Sequence, residues 1–340
     1  MSEPGIAIDG LVRHYGAVRA VDGATLSLGP GEFHVVLGPS GCGKSTLLRL
    51  IAGLEAPDGG TVRLGRRLVS GPGTHVPPED RDVGVVFQSY ALWPHMDVRA
   101  NAAFPVQGRG LPRGEREAIV DRALAAVSLS ELAERRPADL SGGQRQRVAL
   151  ARCLAQGAKT VLMDEPLANL DPHLRARMED ELAAFHARTG ATTFYITHDQ
   201  REAMALATRM SVMWGGRILQ TGAPEAVYAR PADERVARFV GRSALVPRGA
   251  LDPAIVEGTG ALAVVRPEDV AAGEGTPVRV TGATYRGGRY ETRVADAAGN
   301  TFLLDLPARP ASGDELRVRV RRAWSVDPGV VDPSVSPATE

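Results

Sequence analysis

"GPSGCGKST", residues 38–46, stands between the apolar run "FHVVL" (33–37) and the helical stretch "STLLRLIAG" (45–53). Strand, glycine-rich turn and helix in that order are the setting of the phosphate loop G-x-x-x-x-G-K-[ST]. Gly41 and Gly43 let backbone N–H groups converge on phosphate oxygens, and the helix N-terminus adds its partial positive charge. Lys44 supplies a compact charge to the β- and γ-phosphates of ATP, and Ser45 offers a hydroxyl to Mg²⁺. Gly38, Ser40 and Thr46 complete the candidate nucleotide-binding set of this loop. Of 40 basic residues only Lys44 and Lys159 are lysine. A planar guanidinium does not replace an ammonium at position 44, which accounts for a lysine there in an arginine-biased chain.

Further apolar runs, "VGVVF" (83–87), "TVLM" (160–163) and "TTFYI" (192–196), share with "FHVVL" a continuous rather than alternating pattern. That pattern reads as parallel strands buried on both faces. Helical stretches at 44–53, 115–127, 142–156 and 173–188 alternate with them, which predicts an α/β fold. About residues 90–157 read as a helical insertion into this layer. After about residue 240 the pattern changes to Val/Arg/Thr alternation with Gly-rich turns, as in "PVRVTGATYRGGRYETRV", so residues 241–335 are expected to form a small antiparallel β domain. The tail "VDPGVVDPSVSPATE" is Pro-rich and expected to fray.

Chemistry-bearing residues recur at the ends of the strands. "TVLMDEP" places Asp164 where it can hold the Mg²⁺ shell and Glu165 where it can polarise a water for attack on the γ-phosphate. Gln88 follows "VGVVF", and His198 comes two residues after "TTFYI". Open α/β sheets gather their ligand at the carboxyl ends of strands, so these groups should converge. A second anion-binding helix start, "LSGGQ" with Ser141 as N-cap and Gly142, Gly143 and Gln144 behind it, lies in the helical insertion instead. One ATP is not readily cradled by both loops of a single chain. A head-to-tail pair of chains, each "LSGGQ" covering the partner's phosphate loop, resolves the geometry.

Taken in order, "GPSGCGKST", Gln88, "LSGGQ", "VLMDEP", "NLD" (169–171) and His198 resemble the nucleotide-binding subunit of an ATP-binding cassette transporter over roughly residues 5–235. The resemblance implies that Tyr15 stacks on adenine, that His198 contacts the γ-phosphate, and that Gln88 joins the Mg²⁺ and water site to the surface that receives the membrane subunit. It also implies a cross-subunit role for Asp171. Ala168 departs from the serine common in the family's loop. Beyond residue 240 the chain resembles the OB-like domain of importer cassettes, and the segment 77–104, with Trp93 and Pro94, is importer-like as a docking surface. The partners so implied are two transmembrane permease subunits, a second copy of the chain and, indirectly, an extracytoplasmic solute-binding protein. The place is the cytoplasmic face of the plasma membrane. Iron(III), polyamine or thiamine cargo is the lean from the same segments.

Composition narrows the alternatives. Lys+Arg and Asp+Glu each number 40, so the electrostatic footprint of a nucleic-acid binder is missing, which speaks against a soluble cassette acting on nucleic acid or ribosomes. A non-hydrolysing regulatory subunit conflicts with Lys44, Asp164, Glu165 and His198 all being present. Cys42 and Cys153 are too few for a disulfide framework. No signal peptide or membrane-spanning run is read in the sequence, and the chain is expected to be soluble by itself. Beside a helix N-terminus, Cys42 is expected to carry a lowered thiol pKa or, equally, to be a small inert residue.

Overall fold

All four apolar runs enter one sheet. The computed structural model describes residues 5–168 and 170–329, so Asn169 of "NLD" and most of the Pro-rich tail lie outside the described residues. Phe33–Leu37, Val83–Val86, Thr160–Asp164 and Thr192–Thr197 are parallel members of a six-stranded sheet. Its spatial order is Arg217–Gly222, Arg209–Trp214, Phe33–Leu37, Thr192–Thr197, Thr160–Asp164, Val83–Val86. Only Arg217–Gly222 runs antiparallel, as the hairpin partner of Arg209–Trp214. Every residue of Phe33–Leu37 and Thr192–Thr197 is buried, which is why these strands read as unbroken apolar runs.

A second, five-stranded antiparallel sheet pairs Val18–Leu28, Ile6–Tyr15, Gly59–Leu64, Arg67–Gly71 and Thr74–His75 in that order. One face is covered and the other solvated, so its residues alternate in burial, with Ile6 opposite Leu28 and Ile8 opposite Leu26. The helix Lys44–Ala52 is held between the two sheets. Leu47, Leu48, Leu50 and Ile51 share one apolar cluster with Ile6, Leu26 and Val62 of the antiparallel sheet and with Val36, Leu162 and Phe194 of the parallel one. Each such buried side chain contributes roughly 1.5–3 kcal/mol, so the helix that begins at Lys44 is fixed from both sides.

Among the described residues, 90–157 contain the helices Val98–Gln107, Arg113–Ala126 and Gly142–Gln156 and no strand, in keeping with a helical insertion. Contacts divide the chain into two units at Pro224/Glu225. In the second unit the helix Glu234–Phe239 lays Ala237 against Val264 and Val326. Two four-stranded sheets follow: Ala244–Pro247, Leu262–Val265, Ala323–Val326, Val256–Glu257, and Thr301–Leu306, Tyr290–Ala295, Val270–Tyr285, Glu315–Val320. Val246, Val265, Val280, Phe302 and Leu304 form their common core, and the unit is a small, largely antiparallel β assembly of the kind the alternating pattern predicts, consistent with an OB-like barrel. Among the described residues no helix is long and apolar enough to cross a membrane.

Candidate functional site

Strand order decides which side chains meet. The phosphate loop leaves Phe33–Leu37, His198 follows the neighbouring Thr192–Thr197, Asp164 and Glu165 close the next strand, and Gln88 lies beyond the last. All four predicted positions therefore fall at carboxyl ends of adjoining parallel strands, where such sheets hold ligands.

Lys44 is buried, with Nζ donating to the carbonyls of Gly38 and Pro39 at 2.8 and 3.0 Å. Glu165 Oε1 lies 3.9 Å from the same ammonium, and Glu165 Oε2 lies 3.0 Å from His198 Nδ1. The Ser45 hydroxyl donates to Asp164 Oδ1 at 3.1 Å across 119 residues of sequence. Burial raises the Asp164 pKa above the ordinary carboxylate value, against the pull of that hydroxyl. Glu165 itself has φ 42, an uncommon conformation for a residue with a side chain, and its N–H donates to the Ile196 carbonyl at 3.0 Å.

The glycines of the loop are required for different reasons. Gly43 has φ 104, and a Cβ there would stand 2.0 Å from the Ala20 carbonyl oxygen, so both torsion and space demand glycine. Gly41, at φ 79, meets nothing within 4 Å and leaves an open concavity. A Cβ on Gly38 would be 2.3 Å from the Met213 carbonyl oxygen, so the start of the loop is pressed onto the neighbouring strand. Ser40 is exposed at the rim and Thr46 half-buried one residue beyond Ser45. Tyr15 is 43% exposed, its hydroxyl donates to Glu55, and the Arg13 guanidinium lies 5.0 Å over its ring.

The donor set fits MgATP. Ser45 and Asp164 present hard oxygen atoms to one point, and the Gln88 side chain is exposed two residues past Val86. An ion that takes one or two carboxylates plus phosphate oxygens needs no larger set of protein ligands.

Ser141 caps the helix Gly142–Gln156 through a reciprocal box: its Oγ accepts from Gln144 N, and its own N–H donates to Gln144 Oε1 at 2.8 Å. Sequence reading reserved Gly142 and Gly143 for a close anion. Within the chain they also admit neighbours, since a Cβ on either would stand 3.0 Å from Leu170 or Leu174. Asp171 caps the helix Pro172–Thr189, accepting from Leu174 N at 2.9 Å.

Cys42 departs from the reactive-thiol expectation. It is buried, and burial pushes its thiol pKa up despite the nearby charge of Lys44. The loop folds Cys42 inward against Gly38, so the helix start does not activate it. Trp93 is half-buried rather than exposed, stacked on Phe104 at 3.9 Å between ring centroids, while Pro94 and His95 are exposed.

Sequence reading missed the residues that hold this site from behind. Asp199, next to His198, caps the helix Gln200–Leu206 and pairs with Arg175 at 3.0 Å. Buried Glu202 accepts from the Tyr195 and Thr197 hydroxyls, both at 2.7 Å, and fixes the end of the strand before His198. Arg81, almost fully buried, donates to the carbonyls of Leu50 and Ile51 at the C-terminus of the phosphate-loop helix. Burial draws its pKa down to about 10. Arg81 and Asp199 reach partners 24 to 31 residues away, and the Glu202 contacts run from a helix back to the strand before it, so no fixed-spacing motif marks them.

The family described as ABC transporter matches residues 21–168, and the TOBE domain family matches 263–326. The sn-glycerol-3-phosphate import ATP-binding protein UgpC of Ralstonia nicotianae is 49% identical over 236 residues, 69% of this chain and 64% of that protein. This chain thus spans just under two-thirds of that relative's length. The sulfoquinovosyl glycerol transport ATP-binding protein SmoE of Agrobacterium fabrum is 38% identical over 342 residues, covering 93% of this chain and 94% of its own. Among solved structures, cbiO1 of Clostridium perfringens superposes with a TM-score of 0.61 at 26% identity, covering 70% of this chain and 94% of its own. An ATP-binding cassette solved as a post-hydrolysis dimer with ADP and Pi gives 0.57 at 28% identity, over 64% and 98%. The chain belongs to the ABC transporter family and carries a TOBE domain in its C-terminal part.

Proposed function

We propose that this chain is the ATP-hydrolysing, energy-coupling subunit of an importer for a small solute. The observation that carries the reading is the convergence of Lys44, Ser45, Asp164, Glu165 and His198 at neighbouring strand ends, with Glu165 within 3.0 Å of His198 and 3.9 Å of Lys44. Backbone N–H groups around Gly41 and Gly43 and the Lys44 ammonium bind the β- and γ-phosphates, and Tyr15 orients the adenine. Ser45, Asp164 and Gln88 would hold Mg²⁺, which supplies neutralisation of phosphate charge when bound. Glu165 takes the proton of the attacking water, and His198 fixes the Glu165 carboxylate and reaches the γ-phosphate. The Ser141 helix start, with Gly142, Gly143 and Gln144, binds the γ-phosphate on a partner chain in a head-to-tail dimer. A similar cassette solved as a dimer with ADP and Pi supports the pairing of two chains.

The importer reading draws on relatives whose names specify import of sn-glycerol-3-phosphate, trehalose/maltose, Fe(3+) ions and spermidine/putrescine. None of these supports the nucleic-acid alternative, and the balanced charge runs against it. Two membrane permeases and a solute-binding protein complete the assembly at the cytoplasmic face of the membrane. Iron(III), polyamine or thiamine cargo remains the reading from the Gln88 segment. Affinity purification of the tagged chain from its host, with mass spectrometry of the co-purifying chains, tests the proposal: multispanning permeases support it. Ribosomal or repair proteins in their place would end it.

A further inference from the structure

Arg152 sits on the helix that begins beyond the Ser141 cap, near the helix's opposite end. Its side chain is 9% exposed, and no carboxylate pairs with it among the described residues. Its guanidinium donates to the Tyr90 carbonyl at 2.9 Å and the Ala91 carbonyl at 2.8 Å. Those acceptors belong to two consecutive left-handed residues without glycine, Tyr90 at φ 63 and Ala91 at φ 45, directly behind Gln88. Such a conformation is strained for a residue with a side chain and persists only where its surroundings enforce it. The same guanidinium lies 5.1 Å over the Trp93 ring, which stacks on Phe104, 43% exposed.

A buried cation held by two carbonyls and an indole face, without a counter-ion, is an expensive way to close a turn. A packed apolar side chain would fill the space at lower cost but could not hold the two carbonyls. The helix is already fastened to the preceding strand at two further points. Gln156 Nε2 donates to the Val83 carbonyl at 3.2 Å, and a Cβ on Gly84 would meet Cys153 Sγ at 3.0 Å. Arg152 extends this attachment past Gln88 to the aromatic pair.

We propose that Arg152 is a positioning residue of the ATPase, locking the left-handed turn behind Gln88 to the helix that carries the Ser141 cap and tying both to the Trp93–Phe104 pair. Movement of that helix is thereby transmitted to Gln88 and to the surface aromatics as one body. The inference rests on the reading that Gln88 attends the nucleotide site.

Trp93 is its own reporter. The chain holds 3 tryptophans, so Trp214→Phe with Trp324→Phe leaves Trp93 alone, and Glu165→Gln keeps bound ATP intact. In this background MgATP is expected to shift Trp93 emission. Arg152→Lys retains the charge but lacks the fork that spans two carbonyls, and it should lose most of the shift while MgATP affinity by calorimetry stays within about threefold. Arg152→Met should behave alike. An undiminished shift in both variants overturns the proposal, as does a parent whose Trp93 is silent although MgATP binds. Parallel loss of MgATP affinity and thermal stability in both variants would make Arg152 merely structural and overturn it too. A parent that binds no MgATP would bring down the proposed function along with this inference.

Discussion

Glu165 Oε2 lies 3.0 Å from His198 Nδ1 although 33 residues separate them. Thr160–Asp164 and Thr192–Thr197 are parallel neighbours with Asp164 opposite Ile196, so the residues just past each strand emerge side by side. The carboxylate is thus held between an imidazole and the Lys44 ammonium.

Glu165→Gln should lower ATP turnover by on the order of a hundredfold or more while leaving MgATP binding in place. Phosphate release and equilibrium binding measured on the same preparation separate the two. Near-parental turnover would remove Glu165 from the mechanism.

Gly43→Ala and Gly41→Ala should differ. Gly41 asks only for a left-handed torsion, so alanine there should cost about 1–2 kcal/mol. At Gly43 the Cβ would also strike the Ala20 carbonyl oxygen, 2.0 Å away, and urea unfolding should register a larger loss. Equal destabilisation of the two variants would contradict this account of the loop.

His34 is fully buried in the strand before the phosphate loop, with Nδ1 2.7 Å from Glu32 Oε1 and Nε2 2.9 Å from Ser211 Oγ. Burial holds its pKa below the ordinary imidazole value, outweighing the attraction of Glu32, while Arg209 adds to the lowering. A lowered folded pKa contributes stability that is present above about pH 6.5, the unfolded value, and is lost as pH falls through the folded one. Thermal stability should therefore decline below about pH 6.5, and His34→Gln should flatten that decline. An unchanged pH profile in the variant would place the acid sensitivity elsewhere.

Cys42 and Cys153 should both resist alkylation in the folded chain. Burial raises the thiol pKa of each, that of Cys153 to about 11. N-ethylmaleimide should label the native protein about tenfold or more slowly than the urea-unfolded chain, and Cys42→Ser should keep its ATPase activity. Rapid native labelling of Cys42 would reinstate the activated thiol.

Much of the architecture was legible from local pattern. Runs such as "FHVVL" and "TTFYI" are apolar throughout because neighbouring layers cover both faces, and "GPSGCGKST" marks the junction by the glycines and lysine its chemistry needs. The antiparallel strands Ile6–Tyr15 and Val18–Leu28 escaped that reading, since polar residues alternate through them and bulges interrupt their register. Arg209–Trp214 escaped it too, for it opens on an arginine and carries Ser211, a partner of His34.

The sequence by itself determined the kind of site: residue types at fixed short spacings set which phosphate, metal and proton chemistry is possible, since those spacings lie within one loop or helix turn. Only the tertiary structure decided which groups act together. Ser45 meets Asp164 across 119 residues, Arg152 reaches the turn behind Gln88 across 61 and 62, and Cys42 turns inward rather than toward a reagent. Those outcomes arise from strand order and from burial, which raises or lowers a pKa through desolvation. Both are properties of the assembled layers rather than of any one segment.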